Sequence, residues 1–296
     1  MRTRCGYVAI IGKPNVGKST LLNTLIKQKI SITSRKPQTT RFNVLGIRTE
    51  GDCQMLFVDT PGLHRKEPRA INRVMNRNAR NALREVNVVL FVVDRSKWNE
   101  GDDYVADLFT ATSGSKILVV NKVDLIEDKP SVLSILELMQ SRFPSAEIVP
   151  ISAEKNKNVD VLYDLIREKL PESPFYFEPD QVTDRSERFL VAEIIREKIM
   201  RQLGEELPYA ITILIDRFEE IKDFSFIDAT IFVEKEGQKK ILIGSKGEKL
   251  KRIGADARVE MQKLLGRGVM LSTWVKVKSG WSDDERALKS LGYYEY

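Results

Sequence analysis

The chain has 296 residues, enough for one large or two ordinary domains, and its 42% of hydrophobic residues excludes the intrinsically disordered class. The 48 Lys and Arg residues against 42 Asp and Glu give a net charge of +6, which permits a polyanionic partner without requiring one. Two cysteines without metal-type spacing and a single histidine argue against a disulfide framework, a cysteine zinc site and a multi-histidine metal site.

Short apolar runs alternate with amphipathic stretches from residue 7 to about residue 170. Five runs rich in Val and Ile are typical of buried strands: YVAII, MLFVD, VNVVLFVVD, KILVVNK and EIVPIS. Helical patterns lie among them at 19–28, 69–84, 102–112, 131–141 and 158–169. This alternation predicts an α/β fold with an open, mostly parallel sheet, whose ligands bind at the carboxyl ends of the strands.

The polar stretch 170–186, which contains three prolines, indicates a domain boundary. We therefore predict a first domain over 1–172, a linker over 173–185 and a second domain over 186–296. The second domain reads as a helix, the strands AITILIDRF and DATIFVEKE, a glycine-bracketed turn into a helix, and the strand MLSTWVKVK. This order predicts an α+β fold.

The segment GKPNVGKST directly follows the first predicted strand and matches the phosphate-loop pattern GxxxxGK[ST]. Gly12 and Gly17 let backbone N–H groups turn inward around phosphate oxygens, Lys18 neutralises the β and γ phosphates, and the Ser19 hydroxyl suits Mg²⁺. The helix that begins near Lys18 points its positive end at the anion. The predicted phosphate site is the whole loop: Gly12, Lys13, Pro14, Asn15, Val16, Gly17, Lys18, Ser19 and Thr20.

The segment NKVD ends the predicted strand KILVVNK and indicates a guanine site. The Asp124 carboxylate can accept hydrogen bonds from the ring N–H and the exocyclic amine of guanine, and adenine has neither donor on that edge. Asn121 can donate to the base and tie loops together, the Lys122 stem can lie over the purine, and the Ala153 N–H can reach the guanine carbonyl. The predicted base site comprises Asn121, Lys122, Val123, Asp124, Ser152, Ala153 and Glu154.

The segment DTPG follows the strand MLFV, and the polar segment 34–44 precedes that strand. Asp59 suits Mg²⁺ through a water, and the Gly62 N–H can meet the γ-phosphate in a loop that moves when this phosphate leaves. In the polar segment, Thr40 rather than Thr39 is expected to reach Mg²⁺ only while the γ-phosphate is present. The predicted metal set is Ser19, Thr40 and Asp59, and Thr60 and Pro61 complete the nucleotide contacts.

Leu63 occupies the position after Gly62, where many GTPases have a water-orienting glutamine. A leucine side chain cannot orient water, so hydrolysis needs another aid or is slow. His64 is a conceivable base, although an exposed switch residue is the simpler interpretation. The predicted catalytic groups are Lys18, Thr40 and the backbone of Gly62.

The segment IGSKG places a G-x-x-G turn before a helix of the second domain. Its two glycines let the backbone approach a phosphodiester closely, and a KH module uses such a turn to clamp about four nucleotides of single-stranded RNA. Basic runs before and after the turn and in the last strand favour RNA binding over a merely solvated face. The predicted RNA-binding set is Ile243, Gly244, Ser245, Lys246, Gly247, Lys249, Lys251, Arg252, Lys276 and Lys278.

The C-terminal segment offers aromatic side chains with two possible roles. A short helix is expected to begin at 283–286 with Ser282 as its cap. Nearby aromatic residues either stack on bases or seal the core, and the sequence does not distinguish these roles: Trp281, Tyr293, Tyr294 and Tyr296.

Together these segments resemble the Era family of GTPases over essentially the whole chain. GKPNVGKSTLLN, ISITSRKPQTTR, DTPGLH, NKVD and PISA are similar to its G domain, and SERFLVAEIIREKIM, ELPY, VEKEGQKKILIGSKGEKLK and WVKVKSGWSDDERALKSLGY to its KH-type domain. The resemblance implies a P-loop GTPase domain followed by a type II KH domain, with GTP or GDP and Mg²⁺ as ligands. It also implies binding of the 3′ end of 16S rRNA and a role in assembly of the 30S subunit.

The resemblance has further implications. It implies peripheral association with the inner membrane. The two cysteines without disulfide or metal-type spacing, an N-terminus without a long apolar signal core and apolar stretches too short to span a bilayer predict a cytosolic protein, which we expect to be a monomer. The resemblance also implies that Asn15 binds a K⁺ ion in place of an arginine finger, which adds Asn15 to the catalytic groups. The alternative is a regulatory GTPase whose second domain docks a protein or membrane surface. An ATP-dependent kinase or ATPase is disfavoured by Asp124.

Overall fold

The computed structural model of the protein describes residues 2–34, 36, 39–62, 69–94, 98–126, 128–203 and 211–293. The chain divides into two compact units. The first unit contains Met1–Ser31, Thr40–Glu67 and Met75–Asp184, and the second contains Ile32–Thr39, Pro68–Val74 and Arg185–Tyr296. The predicted domain boundaries at residues 172 and 186 stay a prediction.

The first unit is built on a six-stranded sheet. Its strands are β1 (Arg4–Ile11), β2 (Val44–Glu50), β3 (Cys53–Asp59), β4 (Val88–Val93), β5 (Ser115–Val120) and β6 (Glu147–Pro150). They lie in the order β2-β3-β1-β4-β5-β6, and all neighbouring pairs are parallel except the antiparallel pair β2–β3. The predicted α/β fold with a mostly parallel sheet is therefore confirmed.

The edge strand β2 is missing from the predicted strands. Its sequence VLGIRTE has no continuous apolar run, and its last three residues are partly or fully exposed. The interior strands, by contrast, are buried along most of their length, as helices on both faces of a parallel sheet require. Continuous apolar runs are therefore easy to recognise as strands, whereas a half-exposed edge strand is not.

Among the described residues, the helices that alternate with these strands along the chain are α1 (Lys18–Ile26), α2 (Ala70–Asn81), α3 (Glu100–Ala111), α4 (Lys129–Arg142) and α5 (Val159–Lys169). Asn99 caps α3 and forms a capping box with Asp102, and Asp128 caps α4 by accepting from the Ser131 N–H. Phe91 of β4 packs 5.3 Å from Phe109 of α3, measured between ring centroids. These contacts fix the strand ends at which the predicted nucleotide residues lie.

The predicted linker 173–185 packs against the first unit up to Asp184. The buried Gln54 Oε1 accepts hydrogen bonds from the N–H groups of Tyr176 and Phe177, at 2.8 Å and 3.0 Å. Phe175 and Phe177 also pack on the small apolar cluster around β2 and β3. Aromatic residues in a proline-rich segment thus tie it to a sheet edge, while the linker boundaries themselves stay a prediction.

The second unit contains a three-stranded sheet and helices. Its elements are α6 (Glu187–Gln202), β7 (Ile211–Ile221), β8 (Phe224–Val233), α7 (Glu236–Ile243), α8 (Glu248–Leu265), β9 (Gly268–Val277) and α9 (Glu285–Ser290). The strand order is β7-β8-β9, with β7–β8 antiparallel and β8–β9 parallel. Helices α6 and α8 pack on one sheet face, in a core that includes Ile195, Ile231 and Ala257.

Helix α7 is absent from the predicted order, which continues the second strand through residue 236. Strand β8 ends at Val233, and α7 begins three residues later, where Gln238 Oε1 accepts from the Lys235 N–H at 2.9 Å. The run VEKEGQKK has no helical apolar stripe long enough to be recognised. The sequence therefore predicted the turn 244–247 correctly but not the helix that leads into it.

The structure decides the role of two aromatic residues of the C-terminal segment, which the sequence assigned either to base stacking or to the core. Trp281 and Tyr293 are buried, with ring centroids 5.9 Å apart, so they seal the core and are not available for stacking on bases. The cap of α9 is Asp284, which accepts from the Arg286 N–H, and the predicted cap Ser282 was wrong because a 3₁₀ turn over Trp281–Asp283 intervenes. Tyr294 and Tyr296 lie outside the described residues.

Within the described ranges, no helix is both long and apolar enough to cross a membrane.

Candidate functional site

The phosphate loop lies between the carboxyl end of β1 and the start of α1, and its glycines are sterically required. A Cβ atom on Gly12 would lie 2.5 Å from the Val92 carbonyl oxygen. A Cβ atom on Gly17 would lie 2.3 Å from the Asn121 side-chain nitrogen, at a left-handed φ of 99°. Strand β4 and the NKVD segment therefore press directly on this loop, as close approach of backbone requires.

Lys18 is buried at the start of α1, where its Nζ donates to the Lys13 carbonyl at 3.0 Å. Burial lowers the pKa of Lys18 to about 8, although the nearby Asp59 acts in the opposite direction. An anion in the loop would raise this pKa and favour the charged form further. The role of Lys18 toward phosphate stays a prediction from its position in the pattern.

The side chain of Lys13 has a partner inside the protein that the sequence did not indicate. Its Nζ pairs with Asp102 Oδ2 at 2.8 Å, and the same oxygen accepts from the Asn99 N–H at the start of α3. Asp102 is buried. The side chain of Lys13 therefore anchors the loop to α3. The predicted contact of Lys13 with nucleotide would have to be made by its backbone.

Three hydroxyl groups converge on one oxygen of Asp59. Ser19 Oγ donates to Asp59 Oδ2 at 2.7 Å, Ser31 Oγ donates to the same atom at 2.9 Å, and Thr40 Oγ1 lies 2.8 Å from Ser19 Oγ. Thr39 instead donates to the Lys36 carbonyl at 2.6 Å. The geometry thus brings together the predicted set Ser19, Thr40 and Asp59, and adds Ser31.

Asp59 is fully buried, and burial raises the pKa of its carboxyl, while Lys18 and the three hydroxyls act to lower it. Its other oxygen, Oδ1, is also buried and has no hydrogen-bond partner in the described part of the chain. Hydroxyl and carboxylate oxygens are ligands that Mg²⁺ prefers, and Mg²⁺ commonly keeps waters that a carboxylate can accept from. The residues present therefore fit a hydrated Mg²⁺ ion.

The DTPG segment lies against the phosphate loop. Thr60 is buried, and its hydroxyl donates to the Ile10 carbonyl of β1 at 2.9 Å. A Cβ atom on Gly62 would lie 2.8 Å from Pro14 Cγ, so only glycine lets the backbone come this near. Pro61 is buried between them. Leu63 and His64 lie outside the described residues.

The predicted base-reading residues converge at the ends of β5 and β6. Asn121 Nδ2 donates to the Val16 carbonyl at 2.9 Å, and its Oδ1 accepts from the Ala153 N–H at 3.0 Å. Lys122 has a left-handed φ of 62° and its Nζ donates to the Asn15 carbonyl at 2.5 Å and to Asp94 at 2.9 Å. The amide of Asn121 and the ammonium of Lys122 therefore join three loops into one rigid edge.

Asp124 lies in a single 3₁₀ turn, Val123–Leu125, and its carboxylate is exposed. An exposed carboxylate is accessible to hydrogen-bond donors of a ligand. Ser152 and Ala153 are buried, and Glu154 is exposed. The role of these residues in reading a base stays a prediction.

The G-x-x-G turn of the second unit is a strained link between α7 and α8. Gly244 has φ 74°, and a Cβ atom there would lie 2.7 Å from Lys249 Cβ. Lys246 has a left-handed φ of 49°, which a non-glycine residue adopts at a cost. No described side chain caps α8, but the 3₁₀ turn over Ser245–Gly247 pairs two N–H groups at its start, Gly247 N–H with the Gly244 carbonyl and Glu248 N–H with the Ser245 carbonyl. Lys246 adds a positive charge in this turn.

A groove of about 400 Å³ follows this turn along α8 and β9. Gly247 and Lys251, both predicted, line it, together with residues that the prediction missed: Leu250, Gly254, Ala255, Arg258, Leu271 and Thr273. Helical spacing from Gly247 could have found Gly254 and Arg258, which lie about two and three turns further on. Ile243, Ser245 and Arg252 lie near the turn, outside the groove lining.

The two predicted lysines of the last strand do not line the groove. Side chains alternate between faces along a strand, so that Lys276 points away from the face that carries Leu271 and Thr273. Lys278 lies on that opposite face as well, with its Nζ 5.8 Å from the centroid of the Phe232 ring. The sequence shows that these lysines belong to the same domain as the G-x-x-G turn. It does not show on which face of the sheet their side chains lie.

Two family models match the chain. One described as a 50S ribosome-binding GTPase matches residues 7–122, and one described as a KH domain matches residues 206–282. Both predicted domain types, a P-loop GTPase domain followed by an α+β KH domain, are thereby confirmed.

The full chain is also similar to named proteins and solved structures. It is 57% identical to GTPase Era of Pseudomonas putida strain W619 over 98% of this chain and 97% of the relative, and 58% identical to GTPase Era of Pseudomonas aeruginosa strain LESB58 over 98% and 95%. Its fold matches Era in complex with MgGDPNP and nucleotides 1506–1542 of 16S ribosomal RNA, with a TM-score of 0.95, 39% identity and 99% of this chain and 100% of that chain covered. A variant of Aquifex aeolicus Era bound to GDP and AlF₄⁻ matches with a TM-score of 0.94, 38% identity and the same shares.

Proposed function

The chain belongs to the Era family of GTPases, and we propose that its second domain holds the 3′ end of 16S ribosomal RNA during assembly of the 30S subunit. One observation carries this proposal. The G-x-x-G turn, which contains Lys246, leads through Gly247 into a groove whose helix wall presents Lys251 and Arg258. Backbone N–H groups, close-packed glycines and basic side chains are what a KH module offers to a single RNA strand.

A solved relative supports the choice of RNA. The Era structure that covers 99% of this chain contains a 16S fragment, which is small-subunit RNA. The description of the matching GTPase model mentions the 50S subunit, but that model covers residues 7–122 alone and not the groove. The solved relative covers both domains, and it therefore favours 16S rRNA as the ligand of the second domain.

We propose that the first domain binds GTP and Mg²⁺ at the carboxyl edge of its sheet. Ser19 and Thr40 would hold the ion directly and Asp59 through a water, and the ion would supply positive charge beside the phosphates. Lys18 neutralises the β and γ phosphates, the N–H of Gly62 donates to the γ-phosphate, and Asp124 accepts from guanine. Charge that develops on the phosphate oxygens during attack by water is thereby met by preorganised donors.

We further propose that Asn15 contributes to a K⁺ site beside the phosphates. Asn15 has a left-handed φ of 68°, and its side chain is exposed while its carbonyl is held by Lys122. The oxygen of an exposed amide at this point can face a cation near the phosphates.

We also propose that the protein is a cytoplasmic monomer that associates peripherally with the inner membrane. The membrane association rests on the family alone.

The experiment that tests the RNA function reverses charge in the turn. Ser245→Asp with Lys246→Asp should abolish binding of a single-stranded fragment from the 3′ end of 16S rRNA, because two carboxylates repel the phosphates. The matched control is Gln262→Asp with Lys263→Asp, which makes the same charge change on exposed positions of α8 about 22 Å further along the helix.

Filter binding at several KCl concentrations gives the affinity and its salt slope, and the basal rate of GTP hydrolysis is measured beside it. Removal of one phosphate contact should lower the slope of log affinity against log salt by about 0.7. GTP hydrolysis should persist in both variants, because neither touches the nucleotide residues. Wild-type affinity and slope in the turn variant would mean that the second domain docks a protein or membrane surface instead of RNA.

A further inference from the structure

Arginine residues occupy almost the whole exposed face of α2. Residues 69–84 contain five Arg and neither Asp nor Glu. Along α2 the exposed side chains are those of Arg73, Arg77, Arg80 and Asn81. Because an α-helix turns through about 100° per residue, these three arginines lie within a strip about 60° wide. The helix therefore presents one narrow row of positive charge.

Arg84 continues this row beyond the last residue of α2. Its N–H donates to the Asn81 carbonyl at 3.1 Å, so the backbone keeps turning after the helix ends. Arg84 is exposed and forms no ion pair with any residue that the structure describes. We call Arg77, Arg80 and Arg84, which all belong to the first unit, the α2 surface.

Arg80 is oriented by a contact with α3. Its Nε and one terminal nitrogen donate to the Tyr104 hydroxyl, at 3.1 Å and 2.7 Å. This hydroxyl is a neutral partner, so the contact fixes the direction of the guanidinium group without neutralising it. An oriented guanidinium group is suited to phosphate, because its planar set of donors matches the phosphate oxygens.

Carboxylates of the neighbouring segments do not offset the row. Glu85 follows it in the chain, and α3 carries exposed Asp103 and Asp107 on either side of Tyr104. None of these three carboxylates forms an ion pair within the described ranges. Like charges three and four residues apart destabilise a helix, and a merely solvated face has no need of them. A row of one sign is better explained by an anionic partner.

The shape of the α2 surface favours double-helical RNA over a single strand or a membrane. A helix face is convex and α2 contains no aromatic residue, so it lacks the groove and the stacking platform that single strands use. Ile71, Val74 and Met75 are buried, so α2 has no apolar face left to insert into a bilayer. Double-helical RNA, by contrast, is recognised largely through its shape and its phosphates.

We infer that the α2 surface binds the phosphate backbone of a double-helical RNA segment. This site lies in the first unit and is separate from the single strand proposed for the groove of the second unit. The inference does not depend on that proposal, because each site is tested with its own RNA.

A blunt RNA duplex of about 16 base pairs with arbitrary sequence, the length that one duplex-binding domain spans, tests the α2 surface. Arg77→Gln with Arg84→Gln keeps good helix formers and should weaken duplex binding at least about tenfold at low salt. The slope of log affinity against log salt should become shallower by about 1.8, since each phosphate contact on a double helix contributes about 0.9. The matched control Lys155→Gln with Lys157→Gln removes the same charge from the exposed loop after β6 and should change neither value.

Three further measurements separate this site from the rest of the protein. GDP affinity should be the same in the α2 variant and the wild type, which shows that the first unit is intact. The single-stranded 3′ fragment should bind the α2 variant as it binds the wild type, and the turn variant with Ser245→Asp and Lys246→Asp should still bind the duplex. In phenylglyoxal labelling read by mass spectrometry, the duplex should protect Arg77 and Arg84 and leave Arg217 of β7 reactive.

Equal duplex affinity and salt slope in the wild type and the α2 variant would overturn the inference, as would a wild type that does not bind the duplex. Binding to vesicles that contain phosphatidylglycerol, lost in the α2 variant while the duplex does not bind, would overturn it in favour of a lipid surface. A wild type that binds the duplex but not the single-stranded fragment would remove the function proposed for the second domain and support the α2 surface.

Discussion

Ser31 Oγ donates a 2.9 Å hydrogen bond to Asp59 Oδ2, the oxygen that Ser19 also contacts. Both Ser31 and Asp59 are buried. If Ser19 and Thr40 turn their hydroxyls toward Mg²⁺, Ser31 remains as a donor that keeps Oδ2 oriented and leaves Oδ1 for the hydration shell of the ion. Ser31 would therefore act as a positioning residue for the metal, although it is not among the predicted nucleotide-binding residues.

Replacing Ser31 by Ala should raise the Mg²⁺ concentration that half-saturates the protein–GDP complex by about tenfold, the lower end of losses seen for groups that orient metal ligands. The measurement is the rate of GDP release as a function of Mg²⁺, which reports metal binding without hydrolysis. Ser34→Ala removes a hydroxyl from the same stretch and serves as control. An unchanged Mg²⁺ dependence in Ser31→Ala would contradict the positioning role.

The lowered pKa of Lys18 predicts a pH dependence of nucleotide binding. Its pKa is about 8 in the free protein, and phosphate favours the charged form, so the complex holds a proton that the free protein loses above this pH. Affinity for GDP should be level below pH 7.5 and should fall toward tenfold per pH unit above pH 8. Titration calorimetry in buffers of different ionisation enthalpy measures the proton uptake directly.

Lys18→Met is the control for this titration, because any pH dependence that it retains belongs to other groups, including guanine itself. A wild-type affinity that stays level from pH 7 to pH 9 would show that Lys18 remains charged in the free protein and that burial does not lower its pKa as described.

Asp124→Asn should weaken GTP binding at least ~10-fold, since a hydrogen bond to a charged group contributes ~1.5–3 kcal/mol. The amide also presents a donor where guanine donates, so discrimination against xanthosine triphosphate, which has a keto group there, should shrink or reverse. Competition binding with GTP, XTP and ATP measures both effects, and Glu137→Gln on the exposed face of α4 controls for loss of charge. Unchanged GTP affinity in Asp124→Asn would refute the base-reading role.

The parts of the fold that the sequence predicted well are those with local signals. Buried strands such as β4 carry continuous apolar runs. The phosphate loop is recognised by the spacing of Gly12 and Gly17, and the structure explains why both are glycine, since other chain segments leave no room for a Cβ atom there. Ser31 could not be found in this way, because its hydroxyl acquires meaning only when the chain brings Asp59 within reach, 28 residues later.

The sequence also did not show on which face of a strand a side chain lies or which aromatic side chains are buried. Lys276 and Trp274 stand in a basic strand next to a G-x-x-G groove, but only the register shows that they point away from it. Trp281 and Tyr293 offered the same composition as a stacking surface and proved to be buried against each other. Composition therefore predicts the kind of ligand, while tertiary packing decides which of several similar side chains can touch it.

Hydrolysis of GTP should be faster in K⁺ than in Na⁺, and Asn15→Ala should erase the difference. The reason is that Leu63 cannot orient water, so charge on the phosphates must be stabilised by another group. Rates in matched KCl and NaCl test this, and GDP affinity serves as the control for an intact phosphate loop. Equal wild-type rates in the two salts would exclude the ion, and a salt difference that survives in Asn15→Ala would place it elsewhere.

The two glycines of the G-x-x-G turn should differ in their tolerance of a methyl group. Gly247 is in the left-handed conformation, with φ 80° and ψ 6°, so alanine there should cost about 1–2 kcal/mol in backbone strain. Gly244 has φ 74° and ψ −178°, a region that is essentially restricted to glycine, so alanine there should cost more. At Gly247 a Cβ atom meets open space, whereas at Gly244 it would lie 2.7 Å from Lys249 Cβ and force the start of α8 to shift. Gly244→Ala should therefore lose more RNA affinity than Gly247→Ala and should also unfold at a lower urea concentration. Comparable losses in both variants would contradict the special requirement for glycine at Gly244, since both its backbone conformation and its close approach to Lys249 predict the larger loss there.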